Sequence, residues 1–484
     1  MSTRVLILSA SVGSGHKVAA AAVEQAFAAH AGVTVRNQDA LKLTTGLYQV
    51  TASDVYFALV KERPWYVGWL YDYNDEPFKN EQGLGLLWNM LNGQPLAQFI
   101  EEYDPDITVC THFMPAGMVA QLLIERRIRS NLSIITTDYD FQGMWLSRTF
   151  SRYFVALEQT KVHLAALGVD PTRITVSGIP VDPTLSAPVD PVAVRARYNL
   201  RDDLPTILVS AGALGGGPAR EIVAQIMRME TPVQTVVVCG HNHLLRKAIT
   251  AQTVDHSDSF RVLGFTSELP DLMRVAAILV GKPGGLTTAE CMAAGLPMCV
   301  IEPIPGQEER NSDHLLENGA AVRCRESTVI AYKLDRILQE PGRLEAMRAA
   351  TARLAHPDAA RIVVETLLGD HIERADPVAF TPEEQRQIIA TARGKTEATT
   401  MAEISNDIAL YHDDTGVMVG SISAEQLQFL IDQLEEEREN DDTYYLDAPT
   451  LDYLAERGAD PALLALLREI VEGRGQSEIR FVRP

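Results

Sequence analysis

Short apolar runs alternate with longer stretches of helical period from the N-terminus to about residue 370. Residues 5–9 form the first run; a glycine-rich turn follows, then an alanine-rich segment, 16–30, with the period of a helix. Runs at 33–36, 107–111, 133–137, 153–156 and 174–176 predict further strands, and 114–127 predicts a helix between two of them. Strands alternating with helices predict a parallel sheet covered on both faces, because parallel neighbours need long crossover connections. Residues 178–191 hold four prolines and no period, which predicts a linker. The alternation then restarts. Strand runs at 206–210, 233–239, 260–263, 277–280, 298–301 and 320–323 are separated by helical stretches, and 334–369 is helical throughout. The pattern therefore predicts an α/β chain of two Rossmann-like domains, each opening with strand, glycine loop and helix. They span 1–177 and 193–370, with 178–192 as linker. Open sheets of this kind bind ligands at the carboxyl ends of their strands, so two that face each other make a cleft.

After residue 377 the composition changes. Residues 377–484 carry 22 of the 64 acidic residues and 9 of the 43 basic ones, so much of the net charge of −21 belongs to the tail. Residues 377–400 read as a second linker, and 401–484 as a small, mostly helical, acidic module (423–438 and 450–472) with no legible chemistry. No basic stripe suits a nucleic acid. The five cysteines form no C-x-x-C pair and lie in apolar patterns, as buried thiols of a reducing compartment do. No stretch has the length of a secretory h-region or a membrane span, so any membrane role is expected to be peripheral.

Candidate chemistry concentrates in Gly281-Lys282-Pro283-Gly284-Gly285-Leu286-Thr287-Thr288-Ala289-Glu290 and in Ile304-Pro305-Gly306-Gln307-Glu308. A strand there ends in Pro-Gly-Gly and a helix opens. Glycines let backbone N–H groups approach an anion, and the helix N-terminus supplies positive potential. Glu290, expected on the first turn of that helix, would repel a phosphate it faced and suits a pair of sugar hydroxyls better. A diphosphate beside a ribose is a nucleotide, and Gln307 and Glu308 are placed to hold what is attached to it. The first loop, Ser11-Val12-Gly13-Ser14-Gly15-His16-Lys17, lacks the contiguous Gly-Lys-Ser/Thr of a Walker loop and the third glycine of a dinucleotide fingerprint. It leaves His16 at a helix N-terminus, where the dipole disfavours an imidazolium; the ring either caps its helix or accepts a proton. The loop 212–217, with Gly215, either approaches phosphate or is a tight turn. Gly240 opens the polar turn Gly240-His241-Asn242-His243. Phe265 either stacks on a base or packs in the core. Asp138-Tyr139-Asp140 has a spacing used by metal-bound diphosphates, but the Pro-Gly-Gly helix serves that purpose without metal, and Asp138 can instead orient His16 or a nucleophile. Residues 56–99 hold three of the four tryptophans, Trp65, Trp69 and Trp88, with Tyr71 and other aromatics near lysines and arginines. They suit either a membrane interface and greasy acceptor channel or a helical insertion with its own core.

Gly13-x-Gly15-His16, Gly178-Ile179-Pro180-Val181-Asp182, the Pro-Gly-Gly segment and Pro305-Gly306-Gln307-Glu308-x-x-Asn311 resemble the diacylglycerol glycosyltransferases over roughly residues 4–370. These are the plant-type monogalactosyldiacylglycerol synthases and the bacterial processive glucosyltransferases, relatives of the enzyme that adds N-acetylglucosamine to lipid I. The resemblance implies a GT-B fold, a UDP-galactose or UDP-glucose donor, a diacylglycerol or glycosyl-diacylglycerol acceptor, inversion at the anomeric carbon and no required metal or cofactor. It implies peripheral attachment to the inner face of the cell membrane. His16 becomes the general base. Gly215, Gly240, Phe265, Lys282, Gly284, Gly285, Thr287, Thr288, Glu290, Gln307 and Glu308 become the donor site, with ribose on Glu290 and the sugar near Gln307 and Glu308. Trp65, Trp69, Tyr71, Trp88 and Trp145 become acceptor or membrane contacts. One position departs from the pattern: relatives carry a histidine between Thr-Asp and Trp, and here the stretch from Thr137 to Trp145 has Gln142. The alternatives are a related enzyme with a peptidoglycan-precursor or soluble acceptor, a UDP-sugar epimerase, or a non-catalytic binding protein.

Overall fold

The short apolar runs become strands because, flanked on both faces by helices, they bury most of their side chains; Val5, Leu6, Ile7 and Leu8 have no exposed surface. The computed structural model describes residues 2–11, 15–46, 75, 77–78, 92–211, 218–369, 379–403, 408–412, 418–434, 443–471 and 476–482. The chain divides into two units, Met1–Ala392 and Arg393–Pro484.

The first unit holds two parallel sheets. Strands β1 (Thr3–Ser9), β2 (Val33–Asp39), β3 (Ile107–Cys110), β4 (Asn131–Ile135), β5 (Arg152–Val155) and β6 (Ile174–Val176) lie in the order β2-β1-β3-β4-β5-β6. Strands β7 (Thr206–Ser210), β8 (Gln234–Val238), β9 (Phe260–Leu263), β10 (Ile278–Gly281), β11 (Met298–Ile301) and β12 (Ala321–Cys324) lie in the order β12-β11-β10-β7-β8-β9. All twelve strand runs expected from the sequence are present, and both lobes are Rossmann-like. Strand order reverses between β1 and β3 in one sheet and between β7 and β10 in the other, which places a ligand crevice at the carboxyl end of each pair.

Five helices position the site: α1 (Gly15–Ala28) after β1, α2 (Phe113–Ile124) after β3, α3 (Gly285–Ala293) after β10, α4 (Gln307–Glu317) after β11, and α5 (Ala359–Gly369). Helix α5 follows the second sheet in sequence but packs on the first lobe, where Val363, Val364 and Leu367 join Val5, Ile7, Phe27 and Phe154 in one core. Burying side chains of this size is worth about 1.5–3 kcal/mol each, so the return of the chain to its first lobe is strongly held. The linker 178–192 is not free of structure. Ile179, Val181 and Leu185 are buried in the core of the second lobe, and Asp182 accepts a hydrogen bond from Thr184 N–H at 2.8 Å.

The structure differs from the sequence pattern in two places. Residues 377–400 are largely a helix, α6 (Pro382–Glu403), and Ile388 is buried in the first-lobe core with Phe380 packed against it. The 377–400 stretch hid a helix because its few apolar positions, such as Ile388, are spaced among many polar ones. The second unit adds to its helices a sheet that the sequence pattern did not suggest. Four antiparallel strands, β13 (Ile408–His412), β14 (Met418–Ile422), β15 (Thr443–Asp447) and β16 (Gln476–Val482), lie in the order β14-β13-β16-β15. They accompany α7 (Ala424–Gln433), α8 (Ala448–Glu456) and α9 (Pro461–Val471). Residues 450–472 are two helices, parted near Gly458 at φ +86°. The strand signal is a period of two over only five residues: in β15, Tyr444 and Leu446 are buried and Tyr445 is 52% exposed.

Gly178 marks where the linker leaves the first lobe. It sits at φ +81°, and a Cβ built on it would lie 2.2 Å from His356 Cβ. Gly32 has the same φ with nothing within 4 Å. Alanine at either position pays about 1–2 kcal/mol for a left-handed backbone, and at Gly178 overpacking adds about 1–3 kcal/mol. Gly178→Ala is expected to lower the thermal midpoint clearly more than Gly32→Ala, and equal shifts in scanning calorimetry would refute the packing account.

Candidate active site

The two crevices meet. Gly15, the first residue of α1, faces α3 so closely that a Cβ there would be 3.4 Å from Leu286 Cβ. The loop after β4 touches both helix N-termini. A Cβ on Gly285 would lie 2.0 Å from the Thr137 carbonyl oxygen and 3.3 Å from Asp138 Oδ1. Only glycine fits there, which gives the second glycine of Pro-Gly-Gly a packing reason beside its chemical one.

His16 is partly buried at the start of α1. Its Nδ1 lies 2.8 Å from the Thr111 carbonyl oxygen and 3.0 Å from Thr137 Oγ1. A carbonyl only accepts, so Nδ1 carries the hydrogen and Nε2 keeps its lone pair. Burial lowers the ring's pKa from 6.5 to about 4, with the Thr111 carbonyl opposing the shift. The ring is therefore a neutral base at pH 7. Around it stand His112, at 4.5 Å between ring centroids and nearly perpendicular, and Trp145 at 6.4 Å. Phe113 completes the wall at 5.8 Å from Trp145. Met114 N–H donates to His112 Nδ1 at 3.1 Å, which leaves the His112 hydrogen on Nε2. Trp145 is 2% exposed. Sequence reasoning singled out Trp145 but missed Thr111, His112 and Phe113. The available signal was a polar Thr-His directly after a strand adjoining a switch point.

Among the described residues no hydrogen bond joins Asp138 to His16. Asp138 Oδ1 instead accepts from Gln307 Nε2 on the second lobe. Burial raises the carboxyl to about 6, with Gln307, Trp145 and Asn311 favouring the charged form and Asp140 disfavouring it. Asp140 is ion-paired with Arg310 at 2.8 Å. Both carboxylates of the Asp-x-Asp triplet thus have protein partners. Among the described residues, no group of three or more His, Cys, Asp or Glu side chains is placed to hold a metal.

The residues expected to bind the donor lie at the carboxyl ends of the second sheet in spatial order. Gln307 and Glu308 follow β11, Lys282, Gly284 and Gly285 follow β10, Gly240 follows β8, and Phe265 follows β9. Gly215, Trp65, Trp69, Tyr71 and Trp88 lie outside the described residues. No side chain caps α3, whose first turn also lacks an acidic residue, so its first N–H groups stay directed outward. Thr287 is partly buried, and Thr288 is buried with its hydroxyl unpartnered among the described residues. Glu308 Oε2 accepts from Ile304 N–H at 2.7 Å. Burial raises Glu308, opposed by Ile304 N–H and the Lys282 charge. Glu290 is raised from 4.5 to about 7 by burial, with the nearby Asp182 carboxylate adding to the shift. Phe265 is not core: it is 62% exposed and stacks on His241 at 4.4 Å and 12°. Gly240, at φ +57°, makes the turn beside them.

Two facing Rossmann-like lobes with the crevice between them make this a GT-B protein. MurG of Acinetobacter baumannii shares the fold at a TM-score of 0.51 and 17% identity, over 76% of this chain and 99% of that one. So does UDP-GlcNAc 2-epimerase from Neisseria meningitidis, at 0.52 and 16% identity, over 76% and 100%. Residues 16–181 match the family described as monogalactosyldiacylglycerol (MGDG) synthase, and residues 219–354 match glycosyl transferases group 1. The processive diacylglycerol beta-glucosyltransferase of Bacillus subtilis (strain 168) is 28% identical over 386 residues, 75% of this chain and 94% of the relative. Its namesake in Bacillus mycoides (strain KBAB4) is 30% identical over 277 residues, 57% of this chain and 71% of the relative. The chain belongs to the diacylglycerol glycosyltransferase family.

The tautomer and burial of His16 have a measurable consequence. In ¹⁵N-histidine NMR, with the resonance assigned through His16→Gln, the ring is expected to titrate near 4 rather than 6.5. The unfolded ring takes its proton at 6.5 and the folded one at about 4, so its contribution to stability is present above 6.5 and is lost as pH falls through that window. A titration near 6.5 would contradict the buried, neutral ring.

Proposed function

We propose that this protein transfers a hexose from a UDP-sugar to the hydroxyl of diacylglycerol, or of a glycosyl-diacylglycerol, with inversion at the anomeric carbon. The observation that carries this reading is the meeting of His16, its Nε2 lone pair free, with the uncapped N-terminus of α3. His16 Nε2 takes the proton of the acceptor hydroxyl as that oxygen bonds to the anomeric carbon. The carbon's bond to the diphosphate oxygen breaks on the opposite face, and the electron pair leaves on UDP. The transition state has oxocarbenium character, so negative charge grows on the leaving diphosphate. The first N–H groups of α3, its dipole and Lys282 meet that charge as it develops. We assign no metal or cofactor to the step.

The order of residues along the sheet supports the donor pose: hexose at Gln307 and Glu308, diphosphate at Gly284 to Thr288, ribose on Glu290, and uracil against the exposed face of Phe265 near Gly240. The aromatic wall of His112, Phe113 and Trp145 offers the acceptor an apolar approach to His16. Among the described residues no helix is long and apolar enough to cross a membrane. We place the protein peripherally on the inner face of the cell membrane, where its acceptor lies.

Incubating the purified chain with diacylglycerol vesicles and radiolabelled UDP-glucose or UDP-galactose, followed by thin-layer chromatography, tests the reading. A labelled glycolipid from one donor is expected, and its anomeric configuration reports inversion; hexose transfer to a non-lipid acceptor alone would overturn the assignment. His16→Ala is expected to cut kcat by about 10²–10⁴-fold with UDP affinity retained.

Glu290 adds a pH test. The free carboxyl holds its proton up to about 7, whereas two ribose hydroxyls favour the carboxylate. Binding should therefore expel a proton, and UDP-glucose affinity should rise with pH from the ordinary 4.5 toward 7. Titration calorimetry across that range is expected to show the rise, and Glu290→Gln to weaken binding and flatten it. A flat wild-type profile would remove ribose from Glu290.

A further inference from the structure

Helix α4 presents one face to the first lobe. Gln307, Arg310, Asn311 and His314 recur at the spacing that puts side chains on one side of a helix, and each meets the loop that follows β4. Gln307 Nε2 donates to Asp138 Oδ1. Arg310 Nη1 donates to Asp140 Oδ2 at 2.8 Å. Asn311 Oδ1 accepts from Tyr139 N–H at 3.1 Å. The His314 ring stacks on Tyr139 at 4.9 Å and 11°. Asp75 lends a second, longer contact to Arg310 at 3.9 Å.

A glutamine side chain can offer a sugar either its carbonyl oxygen or its NH2 group, and the two recognise opposite partners. Facing open solvent, the amide would turn freely. Here a carboxylate, which only accepts, holds the NH2 end, so the oxygen is the end left for the cleft. We propose that Asp138 is a positioning residue for donor recognition: by binding Gln307 Nε2 across the lobe boundary it turns the Gln307 carbonyl oxygen toward the bound hexose. The hexose is then read by two acceptors, Gln307 Oε1 and Glu308 Oε1, since Glu308 Oε2 is committed to Ile304 N–H. Two acceptors require two hydroxyl donors at fixed angles, which is how a site separates hexoses that differ in one hydroxyl's orientation. Recognition is complete only when the lobes are docked along α4, so donor reading and lobe closure become one event. The inference rests on the placement of the hexose at Gln307 made above.

The test uses the full chain and the ratio of kcat/KM for UDP-glucose and UDP-galactose. An asparagine at position 138 has one acceptor oxygen for the several donors that face it. Asp138→Asn is expected to leave UDP affinity within about twofold while kcat/KM for the preferred donor falls about tenfold or more and the ratio moves toward one. Gln307→Glu sets two carboxylates against each other and is expected to do the same. In the double variant Asp138→Asn/Gln307→Glu the introduced amide donates to the introduced carboxylate, whose other oxygen still faces the hexose. Discrimination should return. An unchanged ratio in Asp138→Asn, or a loss equal for both donors that the double variant does not restore, overturns the proposal. Gln307→Ala separates the two ideas: a ratio unchanged there removes the hexose from Gln307 and fails the underlying pose, whereas a changed ratio there with an unchanged one in Asp138→Asn fails the positioning role alone.

Discussion

The close approach of Thr137 and Asp138 to the second lobe is the constraint on which the site depends. Within two residues the chain hydrogen-bonds His16 through the Thr137 hydroxyl, lays a carbonyl against Gly285, and binds Gln307 through Asp138. The proposed base, anion site and hexose contacts belong to three different helices that follow strands of two sheets. What joins them is this one strand exit, held on its own side by β4, a buried strand in the middle of its sheet. Placement of reacting groups to within about an ångström is worth orders of magnitude in rate, and a loop anchored at a sheet centre is a stiffer way to supply it than a surface segment.

Burial, more than charge pairing, sets the protonation states. The cleft gathers Asp138, Glu308, Glu290 and Asp182 around a site read as binding a diphosphate, which looks unfavourable. Yet burial raises Asp138 to about 6 and Glu290 to about 7 and raises Glu308 as well. Their negative charge is thereby reduced near neutrality or matched by N–H donors, as with Ile304 and Gln307. The same desolvation drives His16 the other way, toward its neutral form. A low local dielectric therefore favours an uncharged base and moves the nearby carboxyls upward together, and it strengthens the field of the helix N-terminus.

Much of this was legible in the sequence, and the reason is geometric. Most strands of the two parallel sheets carry a short apolar run, and Pro-Gly-Gly before Thr-Thr marks the opening of a helix. His16 stood out for the same reason. What stayed hidden depended on contacts between distant residues. That Thr111 sets the His16 tautomer, that His112 and Phe113 wall the base, and that Asp138 turns to Gln307 rather than to His16 all arise from strand order, which no local pattern encodes. The antiparallel sheet of the acidic unit was missed because a period of two over five residues is a weak signal. The helix Pro382–Glu403 was missed because its apolar positions are sparse.

Gly285 joins these strands of reasoning. An anion site needs its backbone N–H groups bare, and lobe docking needs a surface without a Cβ where Thr137 crosses at 2.0 Å from where one would stand. Had the anion site and the lobe contact been built on separate residues, donor binding and closure would be independent events. Because one glycine serves both, the lobes can meet only where the helix N-terminus is exposed to the cleft. The Thr137 carbonyl and the imidazole that the Thr137 hydroxyl helps to hold then stand together beside the proposed diphosphate position. Coupling of this kind needs no moving lid, only two rigid lobes that fit in one register.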